Sequence, residues 1–206
     1  MSAAKSSGRS PARTADVAGA RLGALDAAII AAFALFAALL MVHGGSRRGV
    51  ELMPWPDGLE YAAMAANIAH GAGPVLHFGG YSYPARYTEG YPLILAAAER
   101  LGAVDVPSLY LVTIAMGLLA LALIYFLTLS LFGRAGAVIA TLMLALSPVF
   151  LTNSALVLSD VPTLAVTIYA ACALLRATEA ERAAPSRRSM ILDWAIFGIA
   201  AGFTVM

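Results

Sequence analysis

Charge is scarce in this 206-residue chain. Asp, Glu, Lys and Arg make up 12% of it, against about 25% in an ordinary soluble domain. Hydrophobic residues make up 61%, against about 45–50%. So little charge cannot cover a water-facing surface, and the chain reads as an integral membrane protein. The charges present nearly cancel at a net +1, which excludes a strongly basic nucleic-acid binder. Cysteine is almost absent: Cys172 alone excludes an intramolecular disulfide framework and a CxxC metal site. Lys5 is the only lysine beside twelve arginines, a bias that points to a GC-rich bacterial genome.

The gaps between charges locate the spans. Ala27–Val42 holds no polar residue, and with Arg21–Leu25 it approaches the roughly 20 residues that a bilayer crossing needs. This run is longer than a signal-peptide core and no small-x-small site follows closely, so it reads as an uncleaved anchor. Val106–Gly133 carries no charge. Ala135–Leu175 carries only Asp160. Those 41 residues would extend about 60 Å as one helix, twice the bilayer core, so the segment must fold back. Pro148 and Pro162 bracket Asn153, Ser154, Ser159 and Asp160, which places the turn there. Ile191–Met206 is apolar apart from Asp193 and is still running when the sequence stops.

The expected fold is all-α: a polytopic membrane protein with about five transmembrane helices. Residues 1–20 read as a disordered cytoplasmic tail, 21–206 as the transmembrane domain, and 44–105 as a large outer first loop. Nine basic residues fall in three short segments (Lys5, Arg9, Arg13, Arg21; Arg134; Arg176, Arg182, Arg187, Arg188). Only Arg47, Arg48, Arg86 and Arg100 fall in the 62 residues of the loop. The positive-inside rule then places the N-terminus in the cytoplasm and residues 44–105 in the periplasm or outside the cell. Asp160 falls on the same side as the loop.

A loop of this length needs a reason to exist. Asp57–His70 reads as a helix, with Asp57 able to cap it, Tyr61, Met64, Ala65 and Ile68 on one face, and Gly71 ending it. Gly71–Gly90 is rich in glycine and tyrosine. A second surface helix is expected from Pro92 to about Leu101, with Leu93, Leu95 and Ala96 lying along the membrane.

Asp57-Gly-Leu-Glu-Tyr61, followed by Ala65, Ile68 and Gly71, resembles the first-loop motif of the GT-C membrane glycosyltransferases. That superfamily includes the protein O-mannosyltransferases, the aminoarabinose transferases that modify lipid A, and the RgtA-to-D-like bacterial enzymes. Tyr87-Thr-Glu-Gly-Tyr-Pro-Leu-Ile-Leu-Ala96 and Leu158-Ser-Asp-Val-Pro162 are similar to two further family stretches, in the family's order. Two departures stand out. Gly58 replaces the second of two adjacent acids found in many protein O-mannosyltransferases, and Glu89 stands where the family often has proline.

The resemblance implies an enzyme of the bacterial inner (plasma) membrane: a hexosyl- or pentosyltransferase. It would move a sugar from a polyprenyl-phosphate carrier to a protein, lipid or polysaccharide acceptor at the outer face. Inverting transfer needs a base for the acceptor hydroxyl, and Asp57 is the candidate, its other reading being a helix cap. Arg86 is the candidate partner of the donor phosphate. Glu60, Tyr61 and Asp160 are expected to line the site, Asp160 having a helix-capping role as its alternative. Tyr81, Tyr83, Tyr87 and Tyr91 read either as an interfacial belt or as sugar-stacking rings. His43, His70 and His77 lack ligand spacing, so neither a metal nor another cofactor is expected. Two other functions remain open: a transporter or channel subunit using Asp160, and a non-catalytic membrane scaffold. The many-span family and the abrupt end after Asp193 suggest the N-terminal portion of a longer protein.

Overall fold

The computed structural model describes residues 23–48, 52–78, 80–84, 86–182 and 187–205. The expected tail at 1–20 lies outside them, as do the side chains of Arg47 and Arg48. The elements in order are α1 (Ala24–Arg48), α2 (Asp57–Ala69), β1 (Val75–Phe78), β2 (Tyr81–Pro84), α3 (Gly90–Arg100), α4 (Val106–Ala145), α5 (Pro148–Ser154), α6 (Asp160–Arg182) and α7 (Arg187–Val205). Among the described residues, three helices are long and apolar enough to cross a membrane: Ala24–Gly44, Val106–Ala145 and Asp160–Thr178. Ile191–Phe203 is a shorter apolar helix. The all-α membrane fold is borne out.

The 40-residue α4 is two limbs rather than one rod. Gly133, at φ 74° and ψ −176°, is non-helical inside it, a backbone region that glycine enters without a Cβ clash. Contacts with α1 show that the chain reverses there. Tyr110 Oη donates to the Met41 carbonyl oxygen at 2.7 Å, and Tyr125 Oη donates to Asp26 Oδ1 at 2.8 Å. The first limb therefore runs antiparallel to α1. Beyond the glycine, Arg134 reaches the same Asp26, while Val138, Leu142 and Leu146 adjoin Ile29, Phe33 and Phe36. The second limb therefore runs parallel to α1. Ser147 caps α5 by accepting from the Phe150 N–H, so Asn153 and Ser154 complete a helix and the turn narrows to 155–159. With α6 and α7 the chain makes five passes along the bundle.

One pairing was not legible in the sequence. Asp26 is 1% exposed. It accepts from Arg134 Nε at 2.7 Å and Nη2 at 3.0 Å, and from the Gly23 N–H at 3.0 Å. A buried carboxylate needs such company. The cluster closes the end of the bundle remote from the loop.

The loop end is organised by its own apolar cluster of Tyr61, Ala65, Tyr91, Leu95, Ala96, Leu109 and Val157. This corrects the expected placement of α3. Its Leu95 and Ala96 face turns onto α2 and Val157 instead of lying along lipid. Arg100, in the last turn of α3, donates to the Ala69 and Ile68 carbonyls at the C-terminus of α2, the second of which also accepts from the Gly71 N–H. The Gly- and Tyr-rich stretch, for which the sequence offered no element, contains an antiparallel hairpin with Leu76 opposite Tyr83 and His77 opposite Ser82. Asn67 Nδ2 donates to the Val75 carbonyl at 2.6 Å and ties the hairpin to α2.

Candidate active site

Four segments distant in sequence meet at the loop end of the bundle: the start of α2, the stretch after the hairpin, the start of α3, and the 155–159 turn. Tyr61 is the hub. Its Oη and Ser159 Oγ lie 2.9 Å apart in a hydrogen bond. Its ring lies 5.1 Å from that of Tyr87 and 5.4 Å, edge-on, from that of Tyr91. Such tilted and edge-to-face pairs are the favoured aromatic geometries. Tyr91 Oη in turn pairs with Thr113 Oγ1 at 2.7 Å, anchoring the cluster to α4.

Asp57 is the first residue of α2 and makes no capping bond; the N-cap is Pro56, which has none either. The capping alternative for Asp57 is therefore corrected. Its Oδ1 instead accepts from Tyr87 Oη. Among the described residues, nothing bonds its second oxygen. Arg86 is exposed, with its guanidinium 5.2 Å from the centroid of the Tyr87 ring, a cation–π distance. Tyr87 thus touches the candidate base with its hydroxyl and the candidate phosphate partner with its ring. Glu60, one turn along α2, has a buried Oε2 without a hydrogen-bond partner among the described residues.

Asp160 begins α6 and is exposed. It stands at the end of a span, not midway along one. Its charge is felt at Tyr61. Burial pushes the Tyr61 phenol above its ordinary value, the Ser159 hydrogen bond opposes this, and the charges of Asp57, Asp160 and Glu60 push it further up. Tyr87 is also raised, first by its hydrogen bond to Asp57 and then by burial, with Arg86 pulling it down. Burial raises Tyr91. All three phenols therefore keep their protons well past neutral pH and can serve as donors.

The structure thus brings Asp57, Glu60, Tyr61 and Asp160 around one tyrosine cluster and joins Arg86 to it through Tyr87. Sequence reasoning missed Tyr87 and Ser159 as partners. Ser159 was legible only as a polar residue in a turn, and Tyr87 is thirty residues from the carboxylate it bonds. Tyr81 and Tyr83 stay exposed on the hairpin. His70 Nδ1 lies 2.7 Å from the Ala66 carbonyl oxygen, and His77 Nδ1 pairs with Ser82 Oγ at 2.9 Å. Among the described residues no three metal-ligating side chains converge.

The position of Gly58 explains one departure from the family pattern. A Cβ there would sit 2.9 Å from the Val157 carbonyl oxygen and 2.9 Å from Pro54 Cδ. The backbone packing that brings the 155–159 turn against α2 leaves no room for a second acid.

The family described as dolichyl-phosphate-mannose-protein mannosyltransferase matches residues 90–206. The chain belongs to this family. It is a GT-C mannosyltransferase-like protein, and membership carries glycosyltransferase activity with a membrane-borne sugar donor. The matched region of this mannosyltransferase-like chain runs from the first residue of α3 through α7. It includes Tyr91, Ser159 and Asp160 and stops short of Asp57, Glu60, Tyr61 and Arg86. Comparisons with curated proteins and with solved structures returned no match.

Proposed function

We propose that the protein transfers a hexosyl group from a polyprenyl-phosphate carrier to an acceptor hydroxyl at the outer face of the membrane, with inversion. Asp57 removes the hydroxyl proton as that oxygen attacks the anomeric carbon. The bond from that carbon to the phosphate oxygen breaks, and the phosphate leaves on its lipid with its charge met by Arg86. Tyr87 holds the carboxyl of Asp57 through one oxygen and leaves the other for the acceptor. Glu60, Tyr61 and Asp160 line the site, and the chemistry asks for no metal.

The observation that carries this reading is the linkage through Tyr87, which joins a carboxyl and a guanidinium at the end of the apolar bundle. A base and a phosphate partner are wanted together at a membrane interface. The test uses membranes carrying the protein, supplied with polyprenyl-phosphate mannose. Asp57→Asn should slow transfer by roughly 10²–10⁴-fold, the usual contribution of a positioned base. Transfer by that variant at the wild-type rate would retire the assignment.

A further inference from the structure

Two charges of opposite sign share one cleft towards the end of the bundle remote from the loop. α6 packs against both α4 and α7. Where the three meet they wall a cleft of about 280 Å³. Leu123, Phe126 and Leu127 of α4 and Ile196 of α7 make much of that wall apolar. Arg176 of α6 and Asp193 of α7 carry its charge. Among the described residues neither side chain forms an ion pair, with the other or with a third group.

The two charges stand at one depth. α6 ends at Arg182 and α7 begins at Arg187. The two helices pack together across that short link, so they run antiparallel. Arg176 is six residues before the first of these ends and Asp193 six residues after the second, about 9 Å along each helix. Arg176 falls two residues inside the end of the apolar span Asp160–Thr178, and Asp193 two residues inside the start of the apolar run Ile191–Phe203. Beside Asp193, exposed Trp194 lies edge-on to Phe197 at 6.0 Å; tryptophan favours the headgroup level of a membrane. Arg176 is exposed as well, so the cleft opens on the outside of the bundle. Unpartnered charges at such a depth are costly.

The occupant that fits is an apolar body carrying a negative and a positive group side by side. The phosphate of an anionic lipid would meet Arg176 and face the like charge of Asp193. A soluble zwitterion such as an amino acid would leave the apolar wall uncovered. A choline headgroup has both charges, but its quaternary nitrogen has no N–H to donate to a carboxylate. An ethanolamine headgroup offers a phosphate to the guanidinium fork and a primary ammonium to the carboxylate. Its two charged groups are joined by a short ethylene link and lie roughly along the membrane plane, as Arg176 and Asp193 do. We propose that this cleft binds a phosphatidylethanolamine-type lipid of the leaflet remote from the loop. Arg176 takes its phosphate, Asp193 its ammonium, and the α4 and α7 side chains cover the start of its acyl chains.

The full chain, purified in a neutral maltoside detergent and freed of lipid, is titrated in parallel with dioleoyl phosphatidylethanolamine, phosphatidylcholine and phosphatidylglycerol. Native mass spectrometry reads the retained lipid, and thermal unfolding reads Tm. The ethanolamine lipid should be held roughly tenfold or more tightly than the other two, as a hydrogen bond between charged groups allows. It should also raise Tm saturably, as a ligand of the folded state does. Asp193→Asn should erase the preference for ethanolamine, and Arg176→Gln should weaken retention of all three lipids. Without added lipid, Asp193→Asn should melt no lower than the parent, because it loses no partner within the protein. Equal retention of the glycerol or choline lipid, or an ethanolamine preference that survives Asp193→Asn, would overturn the proposal. So would a lower Tm of Asp193→Asn without lipid, the mark of a direct pair between Asp193 and Arg176.

Discussion

Replacing Gly58 with alanine adds one methyl group where the start of α2 meets the 155–159 turn. The ideal Cβ would lie 2.9 Å from the Val157 carbonyl oxygen, 2.9 Å from Pro54 Cδ and 3.1 Å from the Met53 carbonyl carbon. None of these is the free end of a flexible side chain. The Val157 backbone is itself held, since its N–H donates to the Leu52 carbonyl at 2.8 Å. Relief must come from moving α2 or the turn by several tenths of an ångström. Forced packing of this kind costs about 1–3 kcal/mol. Alanine returns up to about 1 kcal/mol through its better helix propensity. The net loss should be about 1–2 kcal/mol, or about 2–8 °C in Tm for a chain of this size. Gly198→Ala is the control, because nothing lies within 4 Å of a Cβ placed there on α7. Thermal unfolding of both variants in the same detergent should show Gly58→Ala melting lower and Gly198→Ala unchanged or higher. Transfer should also fall in Gly58→Ala, because the shift moves Asp57 relative to Tyr87. Equal Tm values for the two variants would refute the claim that the turn packs tightly against α2.

Tyr87→Phe keeps the ring beside Tyr61 and Arg86 and removes only the hydroxyl on Asp57. The kcat should fall roughly tenfold with little change in donor KM, whereas Arg86→Gln should act mainly on donor KM; steady-state kinetics separates them. The Tyr87 phenol is raised by the carboxyl it bonds, so its contribution is complete below the ordinary tyrosine value of about 10. That contribution is lost as pH climbs through the raised folded value. Asp57→Asn should bring one phenol's titration down towards the ordinary value, read by phenolate absorbance. Arg134→Gln should destabilise the bundle by leaving Asp26 buried without its cation. The double variant Asp26→Asn/Arg134→Gln should be more stable than Arg134→Gln alone, as expected when the orphaned charge is the damage; melting curves of the two decide it.

The passes of the bundle were legible because lipid imposes a blunt requirement. About twenty residues without charge must follow one another, and Asp160 and Arg134 interrupt the runs where the chain turns. The helix at Asp57 was legible from its apolar face and terminal glycine. The hairpin was not, since Gly71–Gly90 shows no strict alternation and glycine weakens any strand signal. Nor was the role of Asp57 within its helix. Whether a carboxyl at a helix start caps it or faces away depends on what lies beyond, here Tyr87. Asp26 shows the same limit from the other side. It stands next to the first apolar run and reads as part of a charged flank, while its partner Arg134 is 108 residues away. Spacing reveals which residues can share a helix face. It does not reveal which segments a fold will bring together.

The Asp26–Arg134 pair separates two roles of one residue in time. Arg134 counts among the basic residues that the positive-inside rule weighs. In the folded bundle it is half of a neutral pair. It can act as a free cation only until the second limb of α4 closes against α1. A variant that keeps a positive charge but cannot form the fork to Asp26, such as Arg134→Lys, would therefore leave insertion intact and weaken the finished bundle. The neutral Arg134→Gln disturbs both.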